Sequence, residues 1–211
     1  MIADSTAPVR RRPRQTGFSG VASAARLHLC KASRDDEAVR NRHIAALLAF
    51  TPTVERSANQ MRITFEDGST AMWAYGVLPK ADVELAEVGK DGGVIVVTNP
   101  QMVLGPYGFR DGRWVFGQGI GAALGISRGA VHAAGTFNKQ GLKVACPNTP
   151  MMLTLTAVMT RLGITAKPTE GEPRAAISAG DVPAALDRLG IAEVADAYQQ
   201  LRDSNVVRKN A

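Results

Sequence analysis

The chain has 211 residues, 45% of them hydrophobic and 21% charged, which is enough to bury a sizeable core in one or two domains. Two cysteines, Cys30 and Cys146, are too few for a disulfide framework or a ribbon-type zinc site, and His28, His43 and His132 show no HExxH spacing. No apolar run reaches the ~20 residues that span a bilayer, and no secretory apolar stretch follows the charged start, so a cytoplasmic protein with reduced thiols and no membrane partner is expected.

The formal net charge is +6, and it is localised. Residues 1–34 hold seven basic groups (Arg10, Arg11, Arg12, Arg14, Arg26, Lys31 and Arg34) against Asp4, while the remaining 177 residues carry 18 basic and 18 acidic groups. Pro8, Pro13, Gly17 and Gly20 among Arg, Ser and Thr predict a disordered basic arm over 1–20. Such an arm can neutralise phosphates; a solvated leader that aids solubility explains the charge equally well.

Residues 21–31 are alanine-rich and predict a short helix. A clearer helix covers 35–50: Asp35, Asp36 and Glu37 favour its start, and Val39, Ile44, Leu47 and Leu48 give an apolar stripe. It stops at Thr51-Pro52, because proline disfavours helical geometry in the residue before it. Gln60 to Glu66 alternates polar and apolar, a half-buried strand ending in an Asp67-Gly68 turn. Val83 and Leu85 suggest a strand, Lys90 to Gly93 a turn, Val94 to Val97 a buried strand, and Thr98 to Val103 a short helix. Residues 105–125, rich in glycine, read as a connector between a first half (21–104) and a second (126–200), with 201–211 as a tail. The second half predicts a helix over 126–136, a strand over 142–146 and a helix over 149–162, with Thr149 as cap and Gly163 as breaker. Strands at 164–167 and 174–178, a helix from Asp181 to Leu189 and a last one from Glu193 to Val207 follow.

Other candidates weaken on inspection. Gly117, Gly119 and Gly121 invite a phosphate-loop reading, but no acid follows about 20 residues on, which favours a connector. His132 suits a ligand or base less well than a packed, hydrogen-bonded interface residue. Cys146 has no assignable partner and precedes Pro147, which suggests a structural thiol.

Both halves contain a helix of small residues, Arg42 to Thr53 and Arg128 to Thr136, suited to close approach across a pseudo-twofold axis. These helices resemble the paired signature helices of the LAGLIDADG homing-endonuclease fold, and more specifically the WhiA family of sporulation and cell-division regulators, which carries a degenerate copy of it. Arg128 to Thr136 is similar to the family's RGAFLAGGS segment, and Leu142 to Pro147 to its strand leading into Cys-Pro. Arg161 to Lys167 is similar to its RLGI-AK turn, and Leu201 to Ser204 with Asn210 to its MRNS…N segment. The likeness covers 100–211 well and 40–65 weakly.

The resemblance implies an α+β, pseudo-twofold LAGLIDADG-like domain with antiparallel sheets and packed signature helices. In the nucleases of this fold each signature helix ends in an acid, and the two acids bind divalent metal between the cleavable phosphates. The matching positions here are Pro52 and Gly135, with Glu55 the nearest acid, so a non-catalytic regulator with no metal or cofactor is expected. The resemblance also implies a helix-turn-helix beyond the MRNS-like segment, where this sequence stops at Ala211. The expected function is transcription control through weak, largely non-specific DNA binding or through a transcription-regulator partner. A protein-interaction or structural module with no nucleic-acid role, its basic arm docking on an acidic surface, is the alternative, and a residual nuclease the third. The candidate phosphate contacts are Arg10, Arg11, Arg12, Arg14, Lys139, Lys143, Arg202, Arg208 and Lys209.

Overall fold

The computed structural model describes residues 17–32, 36–89 and 91–207. Two α-β-β-α-β-β units follow one another in the chain. In the first, α2 (Glu37–Phe50) leads to β1 (Val54–Arg56), β2 (Gln60–Phe65), α3 (Gly68–Val77), β3 (Val83–Gly89) and β4 (Gly92–Thr98). In the second, α5 (Ile120–Ala134) leads to β7 (Gly135–Asn138), β8 (Gly141–Ala145), α6 (Thr149–Arg161), β9 (Ala166–Pro168) and β10 (Arg174–Ser178). The antiparallel sheets have the same topology, with orders β1-β2-β4-β3 and β7-β8-β10-β9. The expected duplication is therefore present strand for strand. Before the first unit stands α1 (Phe18–Ala32), between the units α4 (Pro100–Leu104) and the hairpin β5 (Phe109–Arg110) and β6 (Arg113–Trp114), and after the second α7 (Val182–Arg188) and α8 (Glu193–Val207).

Local chemistry explains the boundaries. Asp36 caps α2 by accepting from the Val39 backbone N–H, and the helix ends at Thr51 before Pro52, as expected. Asp67 caps α3 in the same manner through the Thr70 N–H; the Asp-Gly pair read as a turn opens a helix instead. Asn148, one residue before the expected cap, accepts from Met151 N–H to start α6. Two further departures lie in glycine-rich stretches. The two turns from Ile120, placed in the expected connector, belong to α5, and β7 begins at Gly135, inside the expected helix 126–136. Phe18 and Gly20, placed in the expected arm, belong to α1, where Phe18 packs on the ring of Tyr198 at 5.8 Å.

Each unit has its own core. Ile44, Leu47 and Leu48 pack with Met61, Ile63, Ile95 and Val97 in the first. Ile126 and Val131 pack with Leu142, Val144, Leu155 and Ile177 in the second, together with Val21, Ala25 and Leu29 of α1. The central helices also cross over: Ala46 and Phe50 of α2 belong to the second core, and Ala133 of α5 packs on the first. Arg128 on α5 is buried and donates to Leu189 and Ala32 carbonyls, placing a cation at the C-terminal ends of α7 and α1.

The crossing of α2 and α5 needs glycine. A Cβ on Gly129 would lie 2.3 Å from the His43 carbonyl oxygen, and one on Gly125 would lie 2.5 Å from that of Val39. Gly129→Ala is expected to force the helices apart and cost about 3 kcal/mol in urea unfolding, within the range of overpacked cores. Gly76→Ala on α3, where a Cβ meets nothing within 4 Å, is the control and should be neutral or stabilise by up to about 1 kcal/mol.

Candidate nucleic-acid interface

Strand alternation sends one face of each sheet to the core and leaves the other open. The register of the second sheet aligns Thr136, Lys143, Ala176 and Lys167 in one row across its open face, with Arg174 opposite Ala145 on the same side. Its four strands contain these three cations and no acid. Arg174 is partly offset by Glu172 in the neighbouring turn, with which it forms an ion pair. Lys139 is exposed in the β7–β8 turn, at one end of the same sheet.

The first sheet has the opposite character. Glu55, Arg62, Val96 and Glu84 form the matching row, and Glu87 pairs with Arg62 at 2.7 Å. Three carboxylates thus surround one guanidinium on its open face.

Between the sheets, where α2 and α5 end, lies a cleft of about 490 Å³ lined by Thr51, Pro52, Ala134 and Thr136. The helix ends bring no side-chain carboxylate to it. Its charged walls are Arg26, Arg56 and Glu66, and a smaller recess beside it reaches Asp67, Thr70 and His132. Glu55, the acid nearest the first signature helix in sequence, stands on the open sheet face instead. A divalent-metal site does not fit these residues. The cleft is lined by two guanidiniums, Arg26 and Arg56, against the single carboxylate of Glu66, and among the described residues no group of three His, Cys, Asp or Glu side chains is placed to hold a metal.

Behind the recess a buried polar chain locks the two central helices together. His43 of α2 and His132 of α5 meet at 3.0 Å, and His132 Nε2 lies 2.9 Å from Thr70 Oγ1. The single Thr70 hydroxyl proton goes to Asp67, so His132 must donate from Nε2 and accept at Nδ1 from His43 Nε2–H. Trp73 stacks on His43 at 4.5 Å, and Cys30 Sγ lies 3.7 Å from His132 Nε2. Burial, only partly offset by the Asp67 carboxylate, pushes His132 down to about 3; burial first, then His132, holds His43 well below its ordinary value. Burial alone would raise Asp67, but hydrogen bonds from Thr70 and Ser69 outweigh it and hold it low. His132 is thus the packed interface residue rather than a base open to solvent. Burial likewise pushes the Cys146 thiol up to about 11, consistent with a structural role.

Of the expected contacts, Lys139 and Lys143 lie on the second sheet. Arg202 lies on α8, its guanidinium donating to the Ala179 carbonyl and sitting 3.6 Å from Asp203. Arg10, Arg11, Arg12, Arg14, Arg208 and Lys209 fall outside the described residues. Lys167, Arg174 and Arg26 were not among the expected contacts. The polar position of Lys143 in an alternating strand is readable locally, but only strand pairing brings Lys167 and Arg174 beside it.

No protein-family model matches the chain, and no curated protein does. Solved structures do. The chain is similar to full-length DUF199/WhiA from Thermatoga maritima, with a TM-score of 0.63 at 10% identity over 90% of this chain and 72% of that one. The N-terminal LAGLIDADG domain of DUF199/WhiA gives 0.58 at 11% identity, covering 87% and 93%. I-DmoI, solved in complex with DNA and Mn, gives 0.53 at 10% identity, covering 73% and 97%. The fold is therefore LAGLIDADG-like, as expected. Among the described residues no helix is long and apolar enough to cross a membrane.

The buried histidines set an acid limit. Their folded pKa values lie below the ordinary 6.5, so between pH 6.5 and the folded value the unfolded chain binds protons that the folded one refuses. Stability is complete above pH 6.5 and should fall below it by about 1.4 kcal/mol per pH unit for each histidine. Urea unfolding from pH 7.5 to 4 measures the slope, which His132→Asn should reduce.

Proposed function

We propose that the chain is a cytoplasmic, non-cleaving nucleic-acid-binding protein acting in transcription control, with its second sheet as the primary DNA contact. The observation that carries this reading is the row of Lys143 and Lys167, with Arg174 alongside, on a sheet whose strands hold no acid. Such cations contact phosphates, position the duplex and confer little base discrimination. The first sheet, with Glu55, Glu84 and Glu87 around Arg62, contributes repulsion, so binding is one-sided and weak. Arg10, Arg11, Arg12 and Arg14, together with Arg208 and Lys209, add sequence-independent attraction. Solved relatives in fold point the same way: I-DmoI is seen with DNA, and WhiA carries this domain. The absence of a carboxylate at the ends of α2 and α5 supports a role without cleavage, since hydrolysis of a phosphodiester through metal needs hard oxygen ligands there.

A protein partner is the second reading: the same basic sheet and arm suit an acidic protein surface. Fluorescence anisotropy on random duplex DNA over a salt series separates the two. The full chain is expected to bind with a steep log–log slope. Lys143→Ala and Lys167→Ala should each lower that slope by about one unit and weaken binding to all sequences alike. A chain that binds no duplex at low salt would favour the protein partner. Incubation with magnesium or manganese is expected to leave the duplex intact; cleavage abolished by Glu66→Gln would overturn the non-cleaving role.

A further inference from the structure

The cleft beneath the central helices does more than lack carboxylates at the helix ends: it presents a cation. Arg26 of α1 reaches into it with its side chain only 16% exposed, and its guanidinium bonds Glu66 at 2.8 Å. The C-terminal ends of α2 and α5 both line the cleft, and their unpaired carbonyl dipoles favour positive charge at that point. Arg26 is thus held where the backbone field stabilises it, while Glu66, its carboxylate partner among the described residues, is 70% exposed at the solvent side of the pair. Thr136, which also lines the cleft, is the cross-strand neighbour of Lys143, so the cleft continues directly into the basic row of the second sheet.

We infer that the cleft is a phosphodiester-binding site in which Arg26 grips the nucleic-acid backbone and Glu66 is the competing anion that the phosphate displaces. This inference rests on the proposed DNA contact and names its centre. A guanidinium presents planar paired donors that match phosphate oxygens. With no carboxylate at the helix ends to hold a metal that would activate water, the cleft holds the backbone without breaking it. The exchange trades one charge-assisted pair for another, because a phosphate offers the guanidinium the same kind of anionic oxygen acceptors as the Glu66 carboxylate. Glu66 acts as a threshold: only an anion fixed in place by Lys143 and Lys167 displaces it.

The test is anisotropy on random duplex DNA over a salt series, with the full chain and the variants Glu66→Gln, Arg26→Met, Arg26→Lys and Arg26→Met/Glu66→Gln. Glu66→Gln frees Arg26 and is expected to raise affinity roughly threefold and steepen the salt slope by up to about one unit, whereas Arg26→Met should lower both by similar amounts. Arg26→Lys should retain the slope. The decisive comparison is the double variant, which should match Arg26→Met alone. If Glu66→Gln raises affinity as much in the Arg26→Met background, the effect is removal of any nearby acid, and the site is refuted. Equal binding by all variants while Lys143→Ala still loses affinity also refutes it and leaves the sheet contact standing. Loss of DNA binding by the unaltered chain refutes the sheet contact itself. Should Arg26→Met unfold, Glu66→Gln against Arg26→Lys/Glu66→Gln decides, since Glu66 lies outside both cores.

Discussion

Two backbones approach so closely at the centre of this protein that two positions on α5 admit no side chain. Everything else follows from that approach. With Gly125 and Gly129 set against the backbone of α2, the two units meet face to face, and both helices end at the same cleft. Seams between small residues are tight but indifferent to sliding, because alanine and glycine carry little shape. The polar chain from Asp67 through Thr70, His132 and His43 supplies the missing specificity: a one-turn slip of either helix would leave buried donors and acceptors unmatched, at a cost of about 1–3 kcal/mol for each orphaned group. The histidines must remain neutral to do this, which ties the seam to pH.

Once the seam is fixed, the outer surfaces of the two units are free to diverge. Their strands share one order, yet the open face of one sheet is acidic and that of the other basic. A solvated sheet face has almost no say in folding, since its side chains touch water in both states. Charge can therefore differ between the two faces without disturbing either core.

Much of the fold was legible in the sequence wherever local rules governed. The stop of α2 at Thr51-Pro52, the alternation of β2 and the breaker at Gly163 all require only neighbours along the chain. Helix α3 escaped because an aspartate that caps a helix and one that closes a turn perform the same local act, and the helix buries only small side chains such as Ala71 and Ala74 rather than a large apolar stripe. The opening turns of α5 were obscured by glycines that signal flexibility in isolation but close packing in context. At the site, Lys143 was readable, whereas Lys167 and Arg174 depend on strand pairing, and Arg26 counted only towards the charge of the N-terminal region. The meeting of His43 with His132 spans 89 residues of chain, and no local pattern encodes it.

The exchange of side chains between the cores has a consequence for how the chain can be divided. Phe50 and Ala46 leave the first unit to complete the second, and Ala133 of the second packs on both. A cut in the stretch around β5 and β6 separates two pieces of equivalent topology, but neither piece owns a finished interior: each carries one helix whose buried face belongs to the other. Such fragments complement one another rather than stand alone, and the duplicated unit, though repeated in sequence order, is not a domain in the sense of something that folds by itself.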